Sequence, residues 1–145
     1  MSSDIVALGL PDHVAVVVKD VDETAEFLSS TLGIVFHETL RNLVFKEMFV
    51  GEPFSIHAAH AKLGAVELEL LQPLEEEPLL GQFLKTKGEG LHHIAFKVSN
   101  WDEMVSKLQE QGSKMVLSAI NPWGKRFCYF ETKPGDIIIE FDEKV

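Results

Sequence analysis

The chain has 145 residues, of which 46% are hydrophobic and 25% charged, and its formal net charge is −10. This length predicts a single domain, residues 1–145, that buries roughly two thirds of its unfolded surface. The negative charge argues against nucleic acid and anionic membranes as partners, because both need a cationic face. A single cysteine, Cys128, excludes an intrachain disulfide. Since the sequence has neither a leader pattern nor an apolar run of about 18 residues, we expect a cytoplasmic protein.

The first half of the chain begins with an apolar, β-branched run, residues 12–18, which predicts a buried strand. Asp20 and Glu23 form a capping-box pattern that starts a helix, and Gly33 supplies its end. Three extended segments are expected next, at about 34–40, 53–61 and 65–72.

Two stretches of the first half carry no clear strand pattern. Residues 41–52 contain two phenylalanines and a glycine-proline turn, and we expect an insertion or flap there. Residues 73–78 are acidic and proline-bounded, which is typical of a solvated linker. A short helix is expected to follow over 79–85.

The second half repeats the scheme of the first. Residues 93–98 predict a strand, Asn100 with Glu103 predicts a helix cap, and Gly112 ends that helix. Three more strands are expected at 115–117, about 125–131 and about 136–142. Each half therefore has the element order βαβββ.

The two halves also match residue by residue. Laid over one another, the runs that start at His13 and His93 agree at His, Ala, Val, Asp, Glu and Leu positions, which indicates an internal repeat. We therefore predict an α+β fold with two βαβββ modules in tandem, about 11–72 and about 91–142. Paired sheets of this order curl around a shared cleft.

Each module contributes one histidine and one glutamate at equivalent places. The histidines are His13 and His93, and the glutamates are Glu69 and Glu140 on the last strand of each module. A single strand histidine is more often a packed core residue than a ligand. Two buried histidines and two buried glutamates without partners would be costly, however, so we predict that all four hold one metal ion. Imidazole with carboxylate suits a divalent cobalt, zinc, nickel, manganese or iron ion.

Other polar residues carry weaker signals. His57 and His60 lie three apart on a predicted strand, so they should face opposite sides and are expected in paired or edge roles. His92 is expected to order the ligands or to pack. Lys125 and Arg126 follow a tryptophan and a glycine in one loop, which either holds an anionic group or is a solvated turn.

Three stretches in chain order resemble the vicinal-oxygen-chelate (glyoxalase/bleomycin-resistance/dioxygenase) superfamily and, within it, the methylmalonyl-CoA epimerases. They read LLQPL, GQFLK and GEGLHHIAF. The resemblance covers about residues 11–36 and 64–142. It implies a glyoxalase-like fold, a homodimer, a site within one chain or shared by two, and metal ligands at His13, Glu69, His93 and Glu140.

The resemblance also implies a reaction. An epimerase of this family interconverts the 2R and 2S forms of methylmalonyl-CoA, a thioester substrate, by removing and returning a proton. Glu140 would be one base and Glu52 the other, with Glu47 as the competing position for the second base. Lys125 and Arg126 would bind the substrate, although residues 121–125 carry proline and tryptophan where the family has small residues.

Three alternative functions remain open at this point. A glyoxalase I-type lactoylglutathione lyase uses the same four ligand types. An extradiol dioxygenase fits less well, because its facial triad has one carboxylate and this set has two. A non-catalytic ligand-binding module of the bleomycin-resistance kind usually lacks the ligand set.

Overall fold

The computed structural model describes residues 8–144. The helices described are α1 Val21–Leu32, α2 Leu80–Lys87 and α3 Trp101–Glu110. The strands are β1 His13–Val17, β2 Phe36–Phe45, β3 Glu47–Val50, β4 Phe54–Leu63, β5 Val66–Pro73, β6 Gly90–Val98, β7 Lys114–Ile120, β8 Arg126–Glu131 and β9 Ile138–Glu143. None of these three helices is long and apolar enough to cross a membrane.

The nine strands form one mixed sheet in the order β2-β4-β5-β1-β6-β9-β8-β7-β3. In each module the first strand pairs in parallel with the last, β1 with β5 and β6 with β9. The two modules join where β1 pairs antiparallel with β6. The sheet curls into a half-barrel, so the predicted α+β fold with two βαβββ modules around a cleft is confirmed.

Helix α1 begins and ends as the sequence predicts. The Asp20 side chain accepts hydrogen bonds from the backbone N–H groups of Asp22 and Glu23, and Gly33 ends the helix in the left-handed conformation with φ of 70°. At α3, Asn100 stands at the cap position but its side chain makes no capping hydrogen bond, so this part of the prediction is wrong.

Residues 41–52 are not a flap. Strand β2 continues to Phe45, and β3 pairs antiparallel with β7, so that Met48 lies opposite Ala119. The register of β2 shifts between Leu40 and Leu43, and Asn42 takes a positive φ of 53°. This bulge breaks the two-residue alternation and hides the strand pattern. The consequence is a second connection between the modules, at the far edge of the sheet.

Residues 73–78 are not a solvated linker either. Glu77 is buried, and its carboxylate accepts hydrogen bonds from the N–H groups of Leu79, at 2.8 Å, and Gly81, at 2.6 Å. The Ser55 hydroxyl lies 2.8 and 2.9 Å from the two carboxylate oxygens of Glu75. Through Glu75 and Glu77, the acidic run therefore holds the start of α2 beside the first residues of β4.

Candidate metal and acid–base site

Two histidines meet where the modules join. In the antiparallel pairing of β1 with β6, His13 lies opposite Ala95 and His93 lies opposite Ala15. The two side chains are therefore two positions apart on one face of the sheet, and their ring centroids are 5.6 Å apart. Both are buried, with 8% of His13 and 1% of His93 exposed.

The two predicted glutamates reach the same point from the strands beside the histidines. Glu140 Oε1 lies 2.7 Å from His93 Nε2 and 3.3 Å from His13 Nε2. Glu69 Oε1 lies 3.5 Å from His13 Nε2. The ligand atoms of His13, His93 and Glu140 all fall within 4.8 Å of one another, close enough to hold a metal ion. The structure thus brings the four predicted residues together.

The residue before each histidine contacts the Nδ1 atom of its ring. His13 Nδ1 is 2.8 Å from Asp12 Oδ2, so Nδ1–H donates to this carboxylate and Nε2 faces the cleft. His93 Nδ1 is 2.8 Å from His92 Nδ1. Such partners orient metal-binding imidazoles in proteins. His92 thus contacts His93 through its ring, in agreement with the expected ordering role.

One buried atom supports the fit to a cation. His93 Nε2 is 2.7 Å from Glu140 Oε1, yet among residues 8–144 no atom completes a hydrogen bond with this nitrogen. An unpaired buried nitrogen beside a carboxylate oxygen costs free energy unless a further group lies between them. Two imidazole nitrogens and carboxylate oxygens are a donor set that borderline divalent ions favour. The residues present therefore fit a metal.

The charges of the cluster are strongly coupled. Burial lowers the pKa of His13, but Glu140, Glu69 and Asp12 outweigh it and raise the value to about 12. Burial and the neighbouring His13 lower the pKa of His93 to about 3. Burial and the adjacent Glu140 raise the pKa of Asp142 to about 10. Without a cation, the cluster therefore keeps protons that balance its carboxylates.

An open cleft connects these groups to the surface. Its inner end is lined by His13, Glu69, Glu140 and Asp142, and its walls are apolar side chains from β2, β4 and β8. Its mouth is lined by the following residues of the predicted binding loop: Asn121, Trp123, Lys125 and Arg126.

The two predicted substrate-binding cations lie at this mouth in different settings. Arg126 is held in place, because its guanidinium is 2.7 Å from Glu143 Oε2 and 4.3 Å above the Trp101 ring. The Asn121 side chain accepts a hydrogen bond from the backbone of Lys125 at 2.9 Å, which shapes the loop. Trp123, in the same loop, is 59% exposed.

The structure does not bring the predicted second base into the cleft. Glu52 is exposed in the turn after β3 and lies beside Glu77, Val116 and Leu117 rather than beside the candidate ligands. Its rival Glu47 is exposed on β3. Because β3 pairs with β7, both glutamates are carried to the far edge of the sheet. The structure therefore places neither Glu52 nor Glu47 beside the four candidate ligands.

His60 also belongs to the site, although its sequence pattern predicts only a paired or edge role. His60 lines the cleft, and its Nε2 is 2.7 Å from Glu69 Oε2. The signal was present, since a two-residue turn at Gly64 pairs Leu63 with Val66 and hence His60 with Glu69. His57 accepts a hydrogen bond from the backbone of Asn42 and does not reach the cluster.

Comparison with known proteins agrees with this geometry. Residues 12–129 match the profile of the Glyoxalase/Bleomycin resistance protein/Dioxygenase superfamily. The chain belongs to this superfamily. The predicted resemblance is thereby confirmed at the level of the superfamily, whose members typically bind a divalent metal ion.

Several relatives and solved structures show which members of the superfamily this chain is similar to. An uncharacterised Bacillus subtilis protein, YqjC, is 30% identical over 107 residues, 72% of this chain and 69% of the relative. The mitochondrial methylmalonyl-CoA epimerase of Mus musculus is 27% identical over 149 residues, 98% of this chain and 77% of the relative. A solved structure of a variant Streptomyces coelicolor methylmalonyl-CoA epimerase, in complex with 2-nitronate-propionyl-CoA, has a TM-score of 0.72 at 26% identity and covers 96% of this chain and 99% of that chain.

Proposed function

We propose that the chain is a metal-dependent epimerase that interconverts the 2R and 2S forms of methylmalonyl-CoA. The observation that carries this proposal is the buried convergence of His13, His93 and Glu140 with Glu69 beside them. The likeness to methylmalonyl-CoA epimerases over nearly the whole chain supports the substrate class.

The ligands of the cation would be His13, Glu69, His93 and Glu140, with cobalt, zinc, nickel, manganese or iron as the suitable ions. When bound, a divalent cation supplies Lewis-acid stabilisation of negative charge on a carbonyl oxygen next to the reacting carbon. Asp12 and His92 keep the two imidazoles oriented for this role.

Glu140 is the proposed base for the proton at C2. A positioned base of this kind contributes about 10²–10⁴-fold to the rate. Inversion of the carbon needs a second proton donor on the opposite face of the substrate. Glu69 lies beside His13 in the first module, whereas Glu140 belongs to the second, and both line the same cleft. Glu69 is therefore the proposed second group, since Glu52 and Glu47 lie outside the cleft.

The mouth of the cleft suits an anionic, partly apolar ligand. Lys125 and Arg126 bring positive charge to the cleft mouth of a chain whose net charge is −10, although Arg126 is paired with Glu143. Trp123 offers an exposed ring. The apolar walls limit the access of water to the reacting carbon. We propose that these features bind the acyl-CoA substrate.

One observation favours a second candidate, a glyoxalase I-type lyase that acts on a glutathione hemithioacetal. With Glu52 outside the cleft, the carboxyl groups beside the histidines include a near-symmetric pair, Glu69 and Glu140, one from each module. A proton shuttle between two carbons of one substrate needs no loop glutamate. Both candidates use the same ligands and differ in substrate.

Solvent-deuterium incorporation into (2R)- and (2S)-methylmalonyl-CoA tests the proposal. We expect the metal-loaded protein to exchange the C2 proton, Glu140→Gln to reduce exchange by at least about 10²-fold, and Glu52→Gln to leave it at the wild-type rate. Exchange that survives in Glu140→Gln would show that Glu140 is not the base. Turnover of a hemithioacetal without C2 exchange would replace the epimerase by the lyase.

A further inference from the structure

His60 lies opposite a proposed metal ligand in the sheet. In the pairing of β4 with β5, His60 is directly across from Glu69. In the second module, the pairing of β8 with β9 puts Tyr129 directly across from Glu140. His60 and Tyr129 are therefore equivalent residues of the two modules, and both line the cleft.

The two equivalent residues support the ligands in different ways. Tyr129 packs its ring against that of His93, with centroids 4.6 Å apart. His60 contacts a carboxylate instead, with its Nε2 2.7 Å from Glu69 Oε2. The first module thus holds its glutamate by a polar contact, whereas the second covers its histidine with an aromatic ring.

The contact leaves one carboxylate oxygen of Glu69 for another partner. Nε2–H of His60 donates to Oε2, while Oε1 is directed toward His13 Nε2 at 3.5 Å. The other ring nitrogen, His60 Nδ1, is buried and finds no hydrogen-bond partner among residues 8–144, and Glu38 Oε2 is 3.6 Å away. The short hydrogen bond to Glu69 is thus the one that orients the imidazole ring of His60.

We propose that His60 is a positioning residue that holds Glu69 in the orientation needed to bind the metal ion. This inference rests on the metal site of the proposed function. A glutamate side chain has three rotatable bonds, and a donor on one oxygen restricts the carboxylate to one arrangement before the ion arrives. Loss of such a partner typically lowers metal affinity about 10–100-fold.

The test is a titration of the metal-free protein with cobalt(II). Binding is monitored by calorimetry and by the visible absorption of the bound ion. His60→Phe keeps a ring but removes the donor, and His60→Gln keeps an N–H at a similar reach. His37→Phe is the matched control, because His37 makes an equally short contact, 2.7 Å, with Glu67 near the cleft but more exposed. Thermal melting in a chelator checks that each variant is folded.

We expect His60→Phe to bind cobalt about 10–100-fold more weakly than the wild type and to show a changed absorption spectrum. His60→Gln should be closer to the wild type in both affinity and spectrum. His37→Phe should match the wild type in both. Equal affinity and spectrum in His60→Phe and the wild type would overturn the inference while leaving the proposed function intact. An equal loss in His37→Phe would also overturn it, since the effect would then be one of surface charge. A wild-type protein that binds no cobalt would reject the metal site together with this inference.

Discussion

Asp12 and His92 show how single residues set the chemistry of the site. Each comes directly before a candidate ligand, and each contacts the Nδ1 atom of that ligand's ring at 2.8 Å. The partner of His13 is an anion and the partner of His93 is a neutral ring. Asp12 adds to the effect of Glu140 and Glu69, which raise the pKa of His13, whereas burial and the charge of His13 lower the pKa of His93.

Cys128 gives a prediction for alkaline pH. Burial raises the pKa of its thiol from 9.0 to about 12, so the folded state keeps the proton after the unfolded state has lost it. The contribution of this thiol to the free energy of unfolding is fully present below pH 9 and is lost as the pH rises toward 12. Urea unfolding should show the wild type losing up to about 1.4 kcal/mol more per pH unit than Cys128→Ala in this window. Parallel pH profiles of the two proteins would contradict the prediction.

Trp123 gives a prediction for ligand binding. It lines the mouth of the cleft and is 59% exposed, whereas the other tryptophan, Trp101, is 8% exposed. A CoA thioester in the cleft should therefore alter the emission of Trp123. We expect propionyl-CoA to change the fluorescence of Trp101→Phe and to have little effect on Trp123→Phe. The reverse pattern would exclude contact between Trp123 and the ligand.

At the scale of elements, the start of α2 depends on one buried carboxylate. Glu77 is 7% exposed and accepts hydrogen bonds from two backbone N–H groups, those of Leu79 and Gly81. Helix α2 packs its apolar side against the core beneath β5, so the cap ties the connection between the modules to the first module.

Replacement of Glu77 should therefore destabilise the fold. Glu77→Ala removes the cap and should lower the free energy of unfolding by about 1–3 kcal/mol. Glu76→Ala is the control, because Glu76 is exposed and makes a surface ion pair with Lys85 that is worth at most about 1 kcal/mol. Equal midpoints for Glu77→Ala and Glu76→Ala in urea denaturation would show that the cap carries no stability.

Local patterns predict some elements and conceal others. The ends of α1 follow from Asp20 and Gly33, because capping and left-handed φ are properties of neighbouring residues. The end of β2 is hidden because a bulge near Asn42 interrupts its alternation. Strand β3 could not be found in this way, since its partner strand lies about seventy residues later. The role of His60 follows from the register of the β4–β5 hairpin, and not from the alternation of side chains along β4.

At the scale of the whole molecule, the site exists because two equivalent modules meet along β1 and β6. The repeat in the sequence predicts this convergence, since equivalent strands related by a twofold axis bring equivalent side chains together. The repeat could not predict where Glu52 lies, because the position of Glu52 depends on the pairing of β3 with β7 of the second module.

A pairing of two chains remains a prediction that comes from the resemblance. Sedimentation velocity should give twice the mass of one chain at micromolar concentration if a homodimer forms. A single-chain mass over the same range would contradict the homodimer without affecting the proposed metal site, whose candidate ligands lie together within one chain.

The most direct test of the central claim is an anomalous-difference map from crystals of the cobalt-loaded protein. We predict one strong peak per chain in the cleft, at about 2.0–2.2 Å from the Nε2 atoms of His13 and His93 and within bonding distance of Glu69 and Glu140. A map with no peak at this point, or with its peak at an exposed pair such as His37 and Glu67, would contradict the claim that the two modules share one ion.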